Sequence, residues 1–271
     1  MKIKTLGKKI FYIFLLLFIL FNIVAFIQAY RFTHYSSHVE EKSTIDNGFL
    51  KTLKMLATGV DNPRPENAET PNLNYETIHL ESNVDLECWS IKNELDKGTI
   101  ILFHGYTDSK SNMLKRAYLL YNMGYNILLV DFMGSGGSEG SVTTIGYYEA
   151  ENVKTAYEYI KSKDNKNIIL LGTSMGSVAI LKAINDYHIE PKAIIIECPY
   201  ASMLETISIR FDLMGIPSFP TAHFLAFWGG AQHGFNPYNL KPSEYAKQVT
   251  CPTLFIYGLN DNKAAVGLVV G

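Results

Sequence analysis

The stretch Gly172-Thr173-Ser174-Met175-Gly176 decides the fold of this chain. It follows an apolar run at 168–171 and precedes a helix-like segment at 177–184. A serine at a tight strand-to-helix turn is held in a strained backbone conformation that keeps its hydroxyl clear of the sheet, and glycines two residues to either side remove side chains that would collide there. The pattern predicts a nucleophile elbow with Ser174 at its tip, against the alternative of a chance match in a loop.

The composition is that of a chain with one full-sized hydrophobic core. Of 271 residues, 47% are hydrophobic and 18% are charged, and the formal net charge is -2. A chain of this length forms one domain of enzyme size, with room for a small insertion. The charge provides no basic field of the kind that nucleic acid requires, so a nucleic-acid partner is not expected.

The N-terminus has the pattern of a signal anchor. The run 10–27 contains only Asn22 as a strongly polar residue, and it is about long enough to cross a bilayer. A cleaved signal peptide is the alternative, but the run is long for one and residues 27–29 make a poor cleavage site. Basic residues are concentrated before the run, at Lys2, Lys4, Lys8 and Lys9. This asymmetry predicts a cytoplasmic tail at 1–9, a membrane span at 10–28 and the remaining chain outside the cytoplasm.

The three cysteines indicate neither a disulfide framework nor a metal site. Cys198 closes one predicted strand and Cys251 opens the next, so parallel pairing would place them at opposite ends of the sheet, too far apart for a bridge. The glycine-rich segment 131–140 has Glu139 where a dinucleotide-binding fingerprint requires glycine. The sequence therefore predicts no cofactor and no metal.

Periodicity divides the rest of the chain into a linker and a catalytic domain. Apolar residues from 49 to 60 recur at helical spacing, which predicts a short amphipathic helix within a juxtamembrane segment at 29–74. Prolines at 63, 65 and 71 indicate that the last part of this juxtamembrane segment is a linker. From residue 75 onward a hairpin is followed by short apolar runs that alternate with helices, which indicates a mostly parallel sheet covered on both faces. The predicted strands are 75–81, 84–91, 99–103, 126–130, 167–171, 193–196 and 252–257.

Three further segments resemble the α/β-hydrolase superfamily. His104-Gly105-Tyr106-Thr107 resembles its HG-x oxyanion loop, and 131–140 resembles the D-x-R-G-x-G-x-S-x-G loop of monoacylglycerol-lipase-like and serine-aminopeptidase-like members, with Met133 in place of the arginine. The segment ending Gly258-Leu259-Asn260-Asp261 resembles the one that carries the triad acid. The resemblance implies an α/β-hydrolase fold with Ser174 as nucleophile, the backbone N–H groups of Tyr106 and Met175 as oxyanion donors, and Asp261 as the orienting acid.

The triad histidine is the part of the pattern that this sequence lacks. In this fold the histidine follows the acid, yet the seven histidines lie at 34, 38, 79, 104, 188, 223 and 233, all before Asp261. The tail 262–271 also lacks a last strand and helix, so we expect that the domain at 75–271 is truncated or frame-shifted near 263. His223 and His233 belong to an apolar segment, 199–251, that predicts a small lid over the site.

These observations predict a membrane-anchored serine hydrolase that acts on esters, thioesters or amides of small apolar acyl substrates. The alternative is a catalytically dead or truncated hydrolase domain that serves as a tethered binding module. Loss of a triad member typically lowers turnover about a millionfold. The serine hydrolase and the binding module are therefore expected to differ sharply in activity.

Overall fold

The computed structural model describes residues 2–36, 59, 62–163 and 167–258. Its strands are β1 (Glu76–Glu81), β2 (Asp85–Ile91), β3 (Thr99–Phe103), β4 (Asn126–Val130), β5 (Ile168–Thr173), β6 (Ala193–Glu197) and β7 (Thr253–Ile256). Its helices are α1 (Lys2–Thr33), α2 (Leu114–Asn122), α3 (Glu149–Ser162), α4 (Met175–Tyr187), α5 (Met203–Leu213), α6 (Ser218–His233) and the single turn α7 (Pro242–Tyr245).

The strands form one seven-stranded sheet in the order β1-β2-β4-β3-β5-β6-β7. β1 pairs with β2 and β2 with β4 in antiparallel fashion, whereas all pairs from β4 to β7 are parallel. The two central strands β3 and β4 are fully buried, as expected for parallel strands with helices on both faces. The predicted fold class is confirmed, and the predicted strands agree with the observed ones to within a residue or two.

Two apolar layers hold helices against the sheet. One layer packs α3 and α4 on one face, through residues such as Val153, Ala156 and Ala179. The other layer packs α2 on the opposite face through Leu114 and Ala117. The elbow lies where β5 meets α4, so both layers fix its position.

The N-terminal helix is longer than the predicted span. α1 runs without a break from Lys2 to Thr33, so residues assigned to a basic tail and to a juxtamembrane segment are part of the same helix. Its segment Leu6–Thr33 is long and apolar enough to cross a membrane, with a mean hydropathy of 2.9, a test that signal sequences and core helices also pass. The predicted amphipathic helix at 49–60 lies almost entirely outside the described residues.

The predicted linker packs on the domain. Ser36 forms a β-bridge with Pro63, and the guanidinium of Arg64 donates hydrogen bonds to the carbonyls of Gly136, Ser138 and Gly140. The prolines exclude regular structure there, but the segment is tied to the loop after β4 by these bonds.

The three cysteines are free thiols, and β6 and β7 are parallel, so Cys198 and Cys251 lie at opposite ends of the strand pair as predicted. The β7 side chains Leu254, Phe255 and Ile256 are exposed at the edge of the sheet formed by the described residues.

Candidate active site

Ser174 sits at a strained turn between β5 and α4. Its backbone has φ 51° and ψ -108°, a conformation that residues other than glycine rarely adopt. Such strain persists only where the surrounding structure enforces it. Here the Ser174 N–H donates to the Glu197 carbonyl at 2.8 Å, and its carbonyl accepts from the Val178 N–H at 3.2 Å. The turn therefore has the backbone of a nucleophile elbow, with a half-buried serine at its tip.

The two flanking glycines are required by close backbone contacts. A Cβ on Gly172 would lie 2.5 Å from the Gly176 carbonyl carbon and the Ser177 nitrogen, within the turn itself. A Cβ on Gly176 would lie 2.5 Å from the Phe103 oxygen and 2.8 Å from the His104 oxygen. The first glycine thus allows the tight turn, and the second allows α4 to approach the end of β3. This is the physical basis of the spacing read from the sequence.

The loop after β3 lies against the elbow. A Cβ on Gly105 would stand 3.6 Å from the Thr173 oxygen and 3.8 Å from the Ser174 Cβ, so the two segments are in contact. Tyr106 follows directly. Met175 is the first residue of α4, and its N–H therefore has no carbonyl partner within the helix. The structure brings Ser174, Met175 and the Tyr106 segment together at the carboxyl ends of β3 and β5.

The Tyr106 side chain joins this loop to the end of α1. Its hydroxyl donates to the Phe32 carbonyl at 2.7 Å and accepts from the Asn62 amide at 3.0 Å. Burial raises the pKa of the Tyr106 phenol to about 12, opposed in part by the charge of Arg210 in α5. The phenol is therefore a neutral hydrogen-bond donor at neutral pH. No sequence pattern indicated this connection, because Asn62 lies in a proline-rich segment without regular periodicity.

Asp131 is a structural residue in the loop after β4. Its carboxylate accepts from the Lys110 N–H at 2.7 Å and the Gly137 N–H at 2.9 Å, and it pairs with the buried Lys110 ammonium. The same ammonium pairs with Glu87 and lies 4.3 Å from the centre of the Trp89 ring.

Met133 takes the place of an arginine in the resembling loop, yet this loop does not lack cations. The Lys110 ammonium pairs with the Asp131 carboxylate. The Arg64 guanidinium, from the linker segment before β1, donates to carbonyls of the loop. These two residues place positive charge at the loop although Met133 stands where the resembling loop has arginine. Sequence reasoning missed both, since each lies far from the loop along the chain.

A further polar group supports the elbow from β6. The Glu197 carboxylate accepts from the Thr173 hydroxyl at 2.7 Å and from the Arg116 Nε at 2.8 Å. The Ser177 hydroxyl donates to the Glu197 carbonyl at 3.0 Å. Glu197 thus fixes the residues on both sides of Ser174. Its position at the end of a buried strand was the signal that could have identified it.

None of the described histidines is hydrogen-bonded to Ser174. His104 is fully buried, its Nε2 accepts from the Phe132 N–H at 3.0 Å and its Nδ1 donates to the Gly105 carbonyl at 2.8 Å. Burial lowers the pKa of His104, although Asp131 opposes the shift, so the ring is a neutral structural element. His34 stacks on His233 at 5.1 Å between ring centres, and His223 lies against Phe219.

Asp261 lies outside the described residues, so its role stays a prediction. Across the described parts of the chain, no group of three or more His, Cys, Asp and Glu side chains is placed to hold a metal ion. The arrangement that the structure does present is a strained serine beside two backbone segments that can donate to an oxyanion.

The sequence is similar to one protein family and to curated proteins from bacteria and plants. Residues 95–218 match the family model "Serine aminopeptidase, S33". The chain is 28% identical over 182 residues to the uncharacterized protein YqkD of Bacillus subtilis, covering 66% of this chain and 60% of that protein. It is 23% identical over 237 residues to acylamino-acid-releasing enzyme 1 of Oryza sativa, covering 79% of this chain and 28% of that enzyme.

Solved structures share the fold at low sequence identity. The esterase Pf2001 of Pyrococcus furiosus superposes with a TM-score of 0.62 at 23% identity, covering 78% of this chain and 80% of that one. The acylaminoacyl peptidase of Pyrococcus horikoshii superposes with a TM-score of 0.53 at 21% identity, covering 73% and 34%. Together with the sheet order and the elbow at Ser174, these likenesses show that the chain has the α/β-hydrolase fold, and the family-model match supports its assignment to that superfamily.

Proposed function

We propose that this protein is a serine hydrolase that cleaves carboxylic esters or thioesters, with amides as a further class, through an acyl-enzyme on Ser174. The observation that carries the proposal is the strained backbone of Ser174, at φ 51°, enforced by Gly172 and Gly176. Strain of this kind clusters at functional sites, and at a strand-to-helix turn it is typical of a nucleophile presented to substrate. The esterase and peptidase activities named for its structural relatives are consistent with acyl transfer.

The mechanism follows from the groups around the serine. Attack of the Ser174 oxygen on an acyl carbon would place negative charge on the carbonyl oxygen, where the N–H groups of Met175 and Tyr106 would stabilise it. Asp261 is proposed to orient the histidine that takes the serine proton. None of the histidines that the structure describes is hydrogen-bonded to Ser174, so the base has no assigned position.

We further propose that α1 anchors the enzyme in a membrane with the catalytic domain on the extracytoplasmic side. The support is the hydropathy of Leu6–Thr33 and the excess of lysines before it. The substrate proposed for this site is a small molecule with an apolar acyl group, since the lid helix α6 carries no Asp, Glu, Lys or Arg.

A fluorophosphonate probe tests the nucleophile, because stoichiometric labelling requires an activated serine hydroxyl. We expect labelling of the full chain in detergent, mapped by mass spectrometry to the peptide carrying Ser174, and its loss in Ser174→Ala. Ser162→Ala, which removes an exposed hydroxyl on α3, is the matched control and should label like the wild type.

Because none of the described histidines is hydrogen-bonded to Ser174, a second candidate is a tethered binding module without catalysis. Wild type and Ser174→Ala would then stay equally unlabelled while the protein remains folded. That outcome would exclude the enzyme proposal for this chain.

A further inference from the structure

The helices α5 and α6, with their connection, form what we call the cap hairpin (203–233). Its helix α6 lies along the outer part of α1 through aromatic contacts. Phe224 packs edge-on against Phe18 and Phe21, with ring centres 5.9 and 5.0 Å apart. Trp228 packs in the same way against Phe26 at 5.3 Å. The cap hairpin is therefore fixed beside the helix that is proposed to cross the membrane.

A polar contact between Asn22 and Trp228 lies inside this interface. Asn22 is the one strongly polar residue of the apolar run 10–27, and its side-chain oxygen accepts from the Trp228 Nε1 at 3.3 Å. The Asn22 amide nitrogen donates to the Phe18 carbonyl at 2.9 Å. An asparagine in a lipid-facing helix is costly unless both of its polar ends are paired. Here α1 and α6 together satisfy it.

The rest of the cap hairpin presents apolar side chains to the outside. Phe219 is 74% exposed, Met214 is 62% exposed and Phe227 is 50% exposed. The segment 213–240, which contains all of them, has no Asp, Glu, Lys or Arg. An apolar surface of this kind on a hydrolase domain requires a covering, and it is continuous with the exposed apolar surface of α1.

The length of α1 sets the depth of the contact. The 28 residues Leu6–Thr33 span about 42 Å, whereas the hydrocarbon core is about 30 Å thick. With Leu6 at the inner boundary, the core ends near Phe26 and the outer two turns of α1 extend beyond it. The contact of Trp228 with Phe26 then falls near the outer boundary, and those of Phe224 with Phe18 and Phe21 lie about 8–12 Å inside it.

We propose that the cap hairpin inserts into the outer interface of the bilayer beside α1. Because the Tyr106 hydroxyl donates to the Phe32 carbonyl near the end of α1, the site then lies next to the bilayer and takes acyl substrates from it. This rests on the proposed membrane anchoring of α1. The hairpin has the properties of an interfacial helix, with aromatic residues, an apolar face and little charge.

The test uses the full chain in phosphatidylcholine–phosphatidylglycerol vesicles whose acyl chains are brominated near the headgroup, because bromine quenches indole only on contact. Trp89→Phe leaves Trp228 as the sole indole. To this parent we add Phe219→Trp on the cap hairpin, Phe11→Trp in α1, or Leu119→Trp, an exposed apolar position on α2. The fluorescence of each added indole is taken as the variant's emission minus that of the parent. Its quenching is the loss of this fluorescence in brominated vesicles relative to unbrominated ones.

We expect quenching of Trp228 and of the Phe219→Trp increment to be about threefold stronger than that of the Leu119→Trp increment, because an interfacial helix lies at the level of the bromine. If either cap indole is spared while Phe11→Trp is quenched, the proposal is wrong and a protein partner or a second copy must cover the face. If Phe11→Trp is also spared, the membrane anchoring fails and this inference falls with it. None of these readouts depends on hydrolase activity, so the fluorophosphonate test stays independent.

Discussion

Replacing Gly176 by alanine tests the claim that the elbow depends on a close approach of backbones. The added Cβ would lie 2.5 Å from the Phe103 oxygen and 2.8 Å from the His104 oxygen. Both are main-chain atoms at the end of a fully buried strand, so neither can turn away as a flexible side chain would. The start of α4 must therefore move away from β3.

The size of the effect follows from these distances. Ordinary contacts of this kind are about 3.5 Å, so the helix must retreat by about 0.5–1 Å. Overpacking of a core costs about 1–3 kcal/mol, and the better helix propensity of alanine returns at most about 1 kcal/mol. We expect a net loss of about 1–2 kcal/mol. Since Ser174 and the Met175 N–H move with the helix, misplacement should also slow acylation about 10–100-fold.

The assay combines thermal unfolding with fluorophosphonate kinetics in the same detergent. At about 2–4 °C per kcal/mol for a chain of this size, the unfolding midpoint of Gly176→Ala should fall by several degrees. Gly229→Ala is the matched control, because a Cβ there meets nothing within 4 Å and Gly229 lies within α6. That variant should be as stable as the wild type or slightly more stable, with unchanged labelling. A Gly176→Ala protein that matched the control in both measurements would refute the reasoning.

Three further predictions concern buried polar groups. Lys110→Met leaves the buried Asp131 carboxylate without its cation, so the free energy of unfolding should fall by about 3–5 kcal/mol in denaturant titration. Tyr106→Phe removes the hydroxyl that donates to the Phe32 carbonyl, which should cost about 1 kcal/mol while acylation stays within a few-fold, because the backbone N–H is retained. The lowered pKa of the buried His104 makes the unfolded state take up a proton first as pH falls. Stability should therefore decline below about pH 6.5 with a slope of up to about 1.4 kcal/mol per pH unit, and His104→Gln should flatten that slope in melting curves from pH 7.5 to 5.5.

Controls separate these effects from general loss of structure. Lys161→Met removes an exposed lysine that pairs only loosely with Glu158, so its effect should stay near zero, and an equal loss at Lys110 and Lys161 would contradict the buried pair. A Tyr106→Phe protein whose acylation collapsed would show that the phenol acts in catalysis and not only in positioning. An unchanged pH slope in His104→Gln would assign the acid sensitivity to other groups.

The sequence by itself determined the parallel sheet, the elbow and the glycine-rich loops, because each depends on local periodicity or on a backbone conformation that a few residues enforce. Ser174, Gly172 and Gly176 could be read in this way, since their neighbours along the chain are also their neighbours in the turn. The predicted membrane span at 10–28 follows the apolar run alone, whereas the helix α1 continues beyond that run to Thr33.

Only the tertiary structure decided which distant residues support the site. Lys110 reaches Asp131, Asn62 reaches Tyr106, and Trp228 reaches Asn22, across 21, 44 and 206 positions of the chain. Such pairs follow from the order of strands in the sheet and from the packing of α6 on α1, neither of which leaves a periodic signal. Local sequence therefore specified the nucleophile turn, and long-range packing specified what surrounds it.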